Sequence, residues 1–296
     1  MNLWEKRLKV PDGKKAAYKL LENARYFKLT TQPIKQDILS EITIDGLGYN
    51  GITPGPLIIL KQGEVVLIEV ENRMDEPTAL HVHGLSKPNS QDGMPAIEPT
   101  PKIKPGESFT YKFVAWQSGT FFYHSSDPRQ ESHGLIGAFV VLPNEVYQVP
   151  NYDYVLFVQQ WEIEQPELGV VKPGVYKPKN FNRNPNFFTI NGKAFPETTP
   201  LETRFGELVR MRFINNSNQS HTMHIHGHDF RVVGEDGFLR KGKMMDTINV
   251  ASGKRFDIEL LANNPGVWPV NGTKPFHKTN NGVSPGGMLT RLKYLS

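Results

Sequence analysis

The chain carries nine histidines and no cysteine. The histidines fall into four groups: His81-Val82-His83-Gly84, His124 with His133, His221-Thr222-Met223-His224-Ile225-His226-Gly227-His228, and a solitary His277. Imidazole is a common ligand of copper and zinc, so clustered histidines raise the odds of a metal site. Without cysteine there is no thiolate, and a blue-copper electron port is built on a Cu–thiolate bond. The same absence rules out disulfides and fits any redox compartment.

Strand-like segments must position these side chains. Val65 to Val70, Phe109 to Phe113 and Tyr154 to Val158 are rich in β-branched and aromatic residues, and turn signals such as Pro105-Gly106, Pro173-Gly174 and Ser252-Gly253 separate such runs. Helical periodicity stands out only in Lys14 to Arg25, where Ala16, Ala17, Leu20, Leu21 and Ala24 would line one face. An internal repeat organises the rest. Gly63-Glu64, Asn72 and His81-Val82-His83-Gly84 recur as Gly206-Glu207, Asn215 and His224-Ile225-His226-Gly227, at an offset of 143 residues. Gly106, Phe109 and Gly119 recur as Gly253, Phe256 and Gly266 at an offset of 147, which implies one four-residue insertion between the blocks. A repeat this long is a duplicated domain. The fold class expected is all-β, as two Greek-key β-sandwich domains in tandem. The divisions expected are an N-terminal extension over 1–40, a first domain over 41–145, a connection over 146–186 and a second domain over 187–296. Along a strand, period two puts His81 with His83, and His224 with His226, on one side.

Composition narrows the partners. The formal net charge is +4 and the basic residues are scattered, with no stripe of Lys and Arg interleaved with aromatics, so nucleic acid is a poor candidate. No run reaches the roughly 18 apolar residues of a membrane span. Met1 to Arg7 lacks the apolar run of a secretory leader, which favours a cytoplasmic location.

At these motifs the chain resembles the multicopper oxidases, the family of laccases and bilirubin oxidases, over roughly Thr43 to Leu292. His81-Val82-His83-Gly84 is similar to the family's first histidine pair, and Gly119 to Ser125 with Gly134-Leu135-Ile136-Gly137 to its second block. His221 through His228 fits H-x-x-H-x-H-G-H, and Pro285-Gly286-Gly287-Met288 resembles the end of the last block. The resemblance implies two cupredoxin domains. It also implies a type 1 copper held by two His and a Cys, passing electrons to a three-copper, eight-histidine cluster that reduces dioxygen. On that basis His81 and His224 correspond to type 2 ligands, His83, His124 and His226 to type 3 ligands, and His221 and His277 to the type 1 imidazoles.

The departures are as informative as the matches. Ser126 replaces one cluster histidine, and the final His-Cys-His reads Asn271-Gly272-Thr273. Five of eight cluster ligands survive and the thiolate is gone. Gly282 sits at the commonest spacing for the axial methionine, and Met288 would reach that place through a longer loop or else pack in the core. The expectation is that His81, His83, His124, His224 and His226 converge between the domains on copper, with zinc as competitor. His221 and His277 would form a weak second site or a plain hydrogen-bonded pair. His133 would stand in for Ser126 or simply sit in a loop, His228 would support the fold, and Asp92 would assist proton delivery or make a turn before Gly93. The favoured function is a copper-binding homologue without laccase activity. The alternatives are an oxidoreductase using a non-blue copper, with dioxygen and a phenolic or metal substrate, a metal-free interaction module, and, more weakly, a zinc hydrolase. The resemblance further implies a homotrimer whose cluster sits between neighbouring subunits.

Overall fold

The computed structural model describes residues 3–145 and 148–296. Two β-sandwiches stack through their inner sheets. The first pairs a six-stranded sheet built on Ala24–Leu39, Ile42–Tyr49, Val65–Asn72 and Ser108–Val114 with a four-stranded sheet ordered Gly55–Lys61, Ile136–Leu142, Gly119–Ser125, Leu80–His83. The second pairs an eight-stranded sheet centred on Tyr152–Trp161, Leu208–Asn215 and Arg255–Leu261 with a five-stranded sheet containing His221–Ile225 and Val267–Gly272.

Side-chain alternation explains why the sandwiches stack. Ile136–Leu142 is buried throughout. Phe139 and Val141 face the core of the first sandwich. Ile136, Ala138, Val140 and Leu142 face the other way and pack with Val155, Phe157 and Ile214 of the second. Tyr152–Trp161 divides likewise: Tyr154, Leu156 and Val158 enter the second core, and Val155 and Phe157 the shared layer. Each such side chain contributes about 1.5–3 kcal/mol on burial, so the shared layer holds the two sandwiches as one body. At its edge lies an ionic group. Arg212 donates to Asp153 through Nε (2.7 Å) and Nη2 (2.8 Å), and through Nη1 to Asp257 (3.0 Å) and to Thr120 of the first sandwich (2.9 Å).

The repeat is visible in the backbone. Val65–Asn72 and Leu208–Asn215 are equivalent strands, as are Leu80–His83 and His221–Ile225. The paired turn glycines share left-handed φ: Gly63 at 86° and Gly206 at 82°, Gly106 at 78° and Gly253 at 73°. Three expectations need correction. Lys14 to Arg25 is not helical: Tyr18–Leu21 and Ala24–Leu39 form an antiparallel hairpin, closed by a turn with Glu22 at φ 53°. Leu20 and Leu21 are exposed, so the apolar face that a helix would have buried has no partner here, while the hairpin satisfies the backbone. Residues 24–39 are not outside the first domain, because Ala24–Leu39 pairs with both Ile42–Tyr49 and Val65–Asn72. Nor is 146–186 only a connection. Tyr152–Trp161 is a central strand of the second sandwich, and Gly174–Tyr176 pairs back onto Ile42–Ile44. The division at 145/146 abuts residues 146–147, which like residues 1–2 lie outside the described residues. Among the described residues no helix is long and apolar enough to cross a membrane.

Candidate metal centre

Leu80–His83 runs antiparallel to Gly119–Ser125 with His81 directly opposite His124, so strand pairing alone brings two imidazoles together. His83, two residues on, shares the face of His81. Its ring stacks on Phe122, with centroids 4.5 Å apart. The three imidazoles lie with ring centroids 5.3–5.9 Å apart. Among the described residues, His81, His83 and His124 are the one group of three His or acidic side chains whose donor atoms all fall within 4.8 Å of one another.

Hydrogen bonds set the tautomers. His81 Nδ1 donates to the Asp92 carbonyl oxygen (2.7 Å), and His124 Nδ1 to that of Ser125 (2.8 Å). A carbonyl can only accept, so each ring keeps its proton on Nδ1 and its lone pair on Nε2. His124 Nε2 is buried without a hydrogen-bond partner. The Asp92 carbonyl reaches His81 because the loop passes tightly beneath the strand. At Gly93 φ is +83°, and a Cβ would sit 1.8 Å from the Leu80 carbonyl oxygen. Burial lowers the pKa of all three histidines to about 4, helped by Lys87 at His81 and by Arg255 at His83. At neutral pH the trio therefore offers uncharged lone pairs, as a metal requires. The donor set and the orphaned Nε2 fit a copper or zinc ion.

Two carboxyls flank the trio with opposite tendencies. Asp92 accepts from Lys87 Nζ (2.7 Å); burial alone would raise its pKa, but the Lys87 contact overrides this and lowers it. A carboxylate held ionised does not carry a proton at neutral pH. It is the backbone carbonyl of Asp92, not its carboxylate, that orients His81. Glu131 lies 3.6 Å from His124 Nδ1, and burial pushes its pKa up to about 7. It sits on the short helix Pro128–Ser132, which Asp127 caps by accepting from Arg129 N and Gln130 N. Nothing in the sequence distinguishes Glu131 from an ordinary helical carboxylate. Only the chain's turn after Ser125 brings it back to His124.

The repeat rebuilds half of this geometry in the second domain. His224 Nδ1 donates to the Asp246 carbonyl oxygen (2.7 Å), as His81 does to Asp92, and its ring centroid is 4.6 Å from that of His226. His224 stands opposite Asn271 in register, where His81 stands opposite His124. The Asn271 amide donates to the Gly272 carbonyl (2.8 Å), which turns its oxygen to accept from His226 Nε2 (3.1 Å). Within one copy of the chain, His224 and the exposed His226 do not join the group of three. The structure thus assembles three of the five histidines expected to converge.

Residues 31–146 match one family model described as multicopper oxidase, and residues 168–281 match a second. The chain belongs to the multicopper oxidase family. Its fold is similar to a blue copper oxidase from Nitrosomonas europaea, 28% identical with a TM-score of 0.81, the match covering 92% of this chain and 86% of that one. A laccase from Cryptococcus neoformans is 30% identical over 238 residues, 72% of this chain and 38% of the laccase. A multicopper oxidase from Mycobacterium tuberculosis is 27% identical over 271 residues, 82% of this chain and 52% of that protein. The chain thus spans about half or less of the length of these curated relatives.

For a multicopper oxidase the second histidine constellation is the more unusual. His221 and His277 are buried, with Nδ1 atoms 3.2 Å apart, and His221 Nε2 is 2.6 Å from Ser217 Oγ. They form a hydrogen-bonded pair, and burial lowers both pKa values, to about 3 for His221 and about 4 for His277. A Cβ at Gly272 would lie 3.7 Å from His277 Nδ1 and 3.8 Å from Met288 Sδ. Two imidazoles, a thioether and the backbone position of the missing thiolate thus surround one point, with glycine where cysteine would stand. Met288 packs in the core with its Sδ beside Gly272. His228, between the His226 carbonyl (2.9 Å) and Tyr294 Oη (2.6 Å), supports the fold. His133 caps the helix Pro128–Ser132 and does not join the trio.

Proposed function

We propose that this multicopper oxidase homologue binds copper at His81, His83 and His124 and does not carry out the laccase reaction. The observation that carries the reading is the buried, unpartnered Nε2 of His124 beside two further neutral imidazoles. Leaving such an atom unsatisfied costs about 1–3 kcal/mol, which a bound cation offsets. Copper held there supplies Lewis-acid or one-electron chemistry. The chain's own residues do the rest: the Asp92 and Ser125 carbonyls orient two imidazoles, Lys87 keeps Asp92 ionised, and Glu131 can take up or release a proton near neutral pH beside His124. Gly272 in place of a thiolate removes the electron port of the family.

A second reading is an oxidoreductase in which substrate meets a non-blue copper directly. It is favoured by a cavity that opens beside His83 and His124. Zinc is the competing ion by donor chemistry. In a homotrimer, the half-buried His224 and exposed His226 of one copy would be available to meet the trio of the next, making a five-histidine pocket.

Copper-loaded, dialysed protein tests the reading through elemental analysis, EPR and visible spectra, with sedimentation on the same sample. Retention of about one copper per chain, a type 2 EPR signal, no intense blue band and loss of the metal in His124→Ala are expected. No retained copper, or equal retention in His124→Ala, refutes the site and leaves a metal-free scaffold. Oxygen uptake with a phenol by the loaded protein would refute the absence of laccase activity.

A further inference from the structure

The two halves of the repeat part company at one position, and the hydrogen bonds there have a consequence for the metal. His81 stands opposite His124 in register, and His224 stands opposite Asn271. His83 and His226 each follow two residues after the first histidine and are equivalent in the repeat.

The two opposing residues are anchored alike. His124 Nδ1 donates to the carbonyl of the next residue, Ser125 (2.8 Å), and Asn271 Nδ2 donates to the carbonyl of its next residue, Gly272 (2.8 Å). What each then offers its neighbours is opposite. The anchored imidazole presents Nε2, a bare lone pair that a metal can take. The anchored amide presents Oδ1, which accepts from His226 Nε2 at 3.1 Å. An amide oxygen only accepts, so His226 Nε2 must carry a proton there. Nδ1 is then the one nitrogen of His226 able to hold a lone pair. It faces away from Asn271, because the two nitrogens of an imidazole point in widely different directions.

The anchor also decides which way the amide turns. A flipped Asn271 would set its oxygen against the Gly272 carbonyl and lose the 2.8 Å bond. Asn271 is buried, so an amide oxygen deserted by His226 would be poorly solvated. His224 is under no such hold. It gives Nδ1 to the Asp246 carbonyl (2.7 Å), as His81 does to that of Asp92, and so keeps its lone pair on Nε2.

We propose, resting on the copper reading of His81, His83 and His124, that Asn271 withholds His226 from metal and so limits the centre to a single ion. Five histidines would border the pocket of an assembly, but four would ligate: the trio of one copy and His224 of the next. A second ion would be left with His226 alone, through a nitrogen that faces elsewhere.

The test is NMR of ¹⁵N-labelled, metal-free protein at about pH 8, above the ordinary histidine range. His226 is exposed, and an imidazole N–H open to water exchanges too fast to give a signal. One held by Asn271 should give a resolved Nε2–H resonance. Zinc, which is diamagnetic, is then added and followed through the histidine ring signals. In the parent the His226 N–H should persist while zinc fills the trio. In Asn271→Leu, similar in volume but without an acceptor, that resonance should vanish. Zinc affinity read at the His226 ring should rise about tenfold, the scale of one hydrogen bond. A merely structural asparagine predicts the opposite sign, since its removal would loosen the surroundings of His226 and weaken binding. No His226 N–H resonance in the parent, its survival in Asn271→Leu, or zinc affinity unchanged or lowered in that variant would overturn the proposal. Should Asn271→Leu fail to fold, the parent resonance and its persistence under zinc decide. Failure of the metal reading shows separately, as His81, His83 and His124 ring signals that ignore zinc.

Discussion

Replacing Arg212 with methionine should be among the most destabilising single changes this chain can undergo, and its effect should depend on pH in a specific direction. The Arg212 side chain is 2% exposed and the Asp153 side chain 0%. Arg212→Met removes two bonds to Asp153 and one each to Asp257 and Thr120, leaving Asp153 with the Trp4 indole N–H (2.7 Å) as its hydrogen-bond donor. Breaking a buried ion pair by removing one partner costs about 3–5 kcal/mol, because the orphaned charge cannot return to water. With a urea m-value near 3 kcal/mol/M, the midpoint should fall by about 1–2 M. In the parent, burial pushes the Asp153 pKa up but Arg212 overrides it, so the carboxyl titrates below the usual range. Its stabilisation is therefore present above the unfolded pKa and lost as pH falls through the folded one. In the variant burial acts alone and the folded pKa rises, so acid relieves the penalty. Urea denaturation followed by tryptophan fluorescence should thus show a wide midpoint gap near pH 8 that narrows towards about pH 5. The triple variant Arg212→Met, Asp153→Leu, Asp257→Leu should recover most of the loss, since apolar replacement of a whole buried ionic group is close to neutral. A loss below about 1 kcal/mol in Arg212→Met, or a gap that ignores pH, would refute the reasoning.

Two further outcomes follow from the second histidine constellation. Copper-loaded Gly272→Cys should develop the intense visible band of a Cu–thiolate bond, while its oxygen reduction stays at the parent level, because Ser126, Asn271 and Thr273 still stand at ligand positions. Absence of the band would mean that His221, His277 and Met288 do not cradle copper; robust four-electron reduction would mean that the ligand alignment is wrong. Acid should weaken the metal-free fold through His221. Its folded pKa of about 3 lies below the unfolded value of about 6.5, so stability is full above pH 6.5 and declines as pH falls towards 3. At pH 4.5 the loss is on the order of 3 kcal/mol, and the urea midpoint should drop less on acidification in His221→Gln than in the parent. Equal drops would show that His221 accepts a proton in the folded state.

What could be read from the sequence was local or periodic. Two H-x-H-G blocks on strand-like runs imply paired imidazoles on one face, and the duplicated glycines carry the same left-handed turns in both halves. The hairpin at Tyr18 to Leu39 was hidden because Ala16, Leu20 and Ala24 happen to fall at helical spacing, while the deciding signal, a two-residue turn at Glu22-Asn23, is weak without glycine. Tyr152–Trp161 is strand-like by composition, but its Pro- and Asn-rich surroundings read as linker. Its parallel pairing with Leu208–Asn215 is long-range and leaves no local mark. Glu131 reaches His124 only through the chain's turn after Ser125, so no spacing rule could single it out. The separation of His224 and His226 from the trio is likewise a property of how two similar domains are stacked.

The glycine at position 272 has a practical side. Because the chain has no cysteine, a thiol introduced there would be its only one, and any thiol-directed reagent would report on that single point. Position 272 is buried, so the rate at which a mercurial or a disulfide exchanger reacts there would report the opening of a spot bordered by His277 and Met288, with no background from elsewhere in the molecule. The absence of cysteine thus leaves the protein an unusually clean host for a chemical probe.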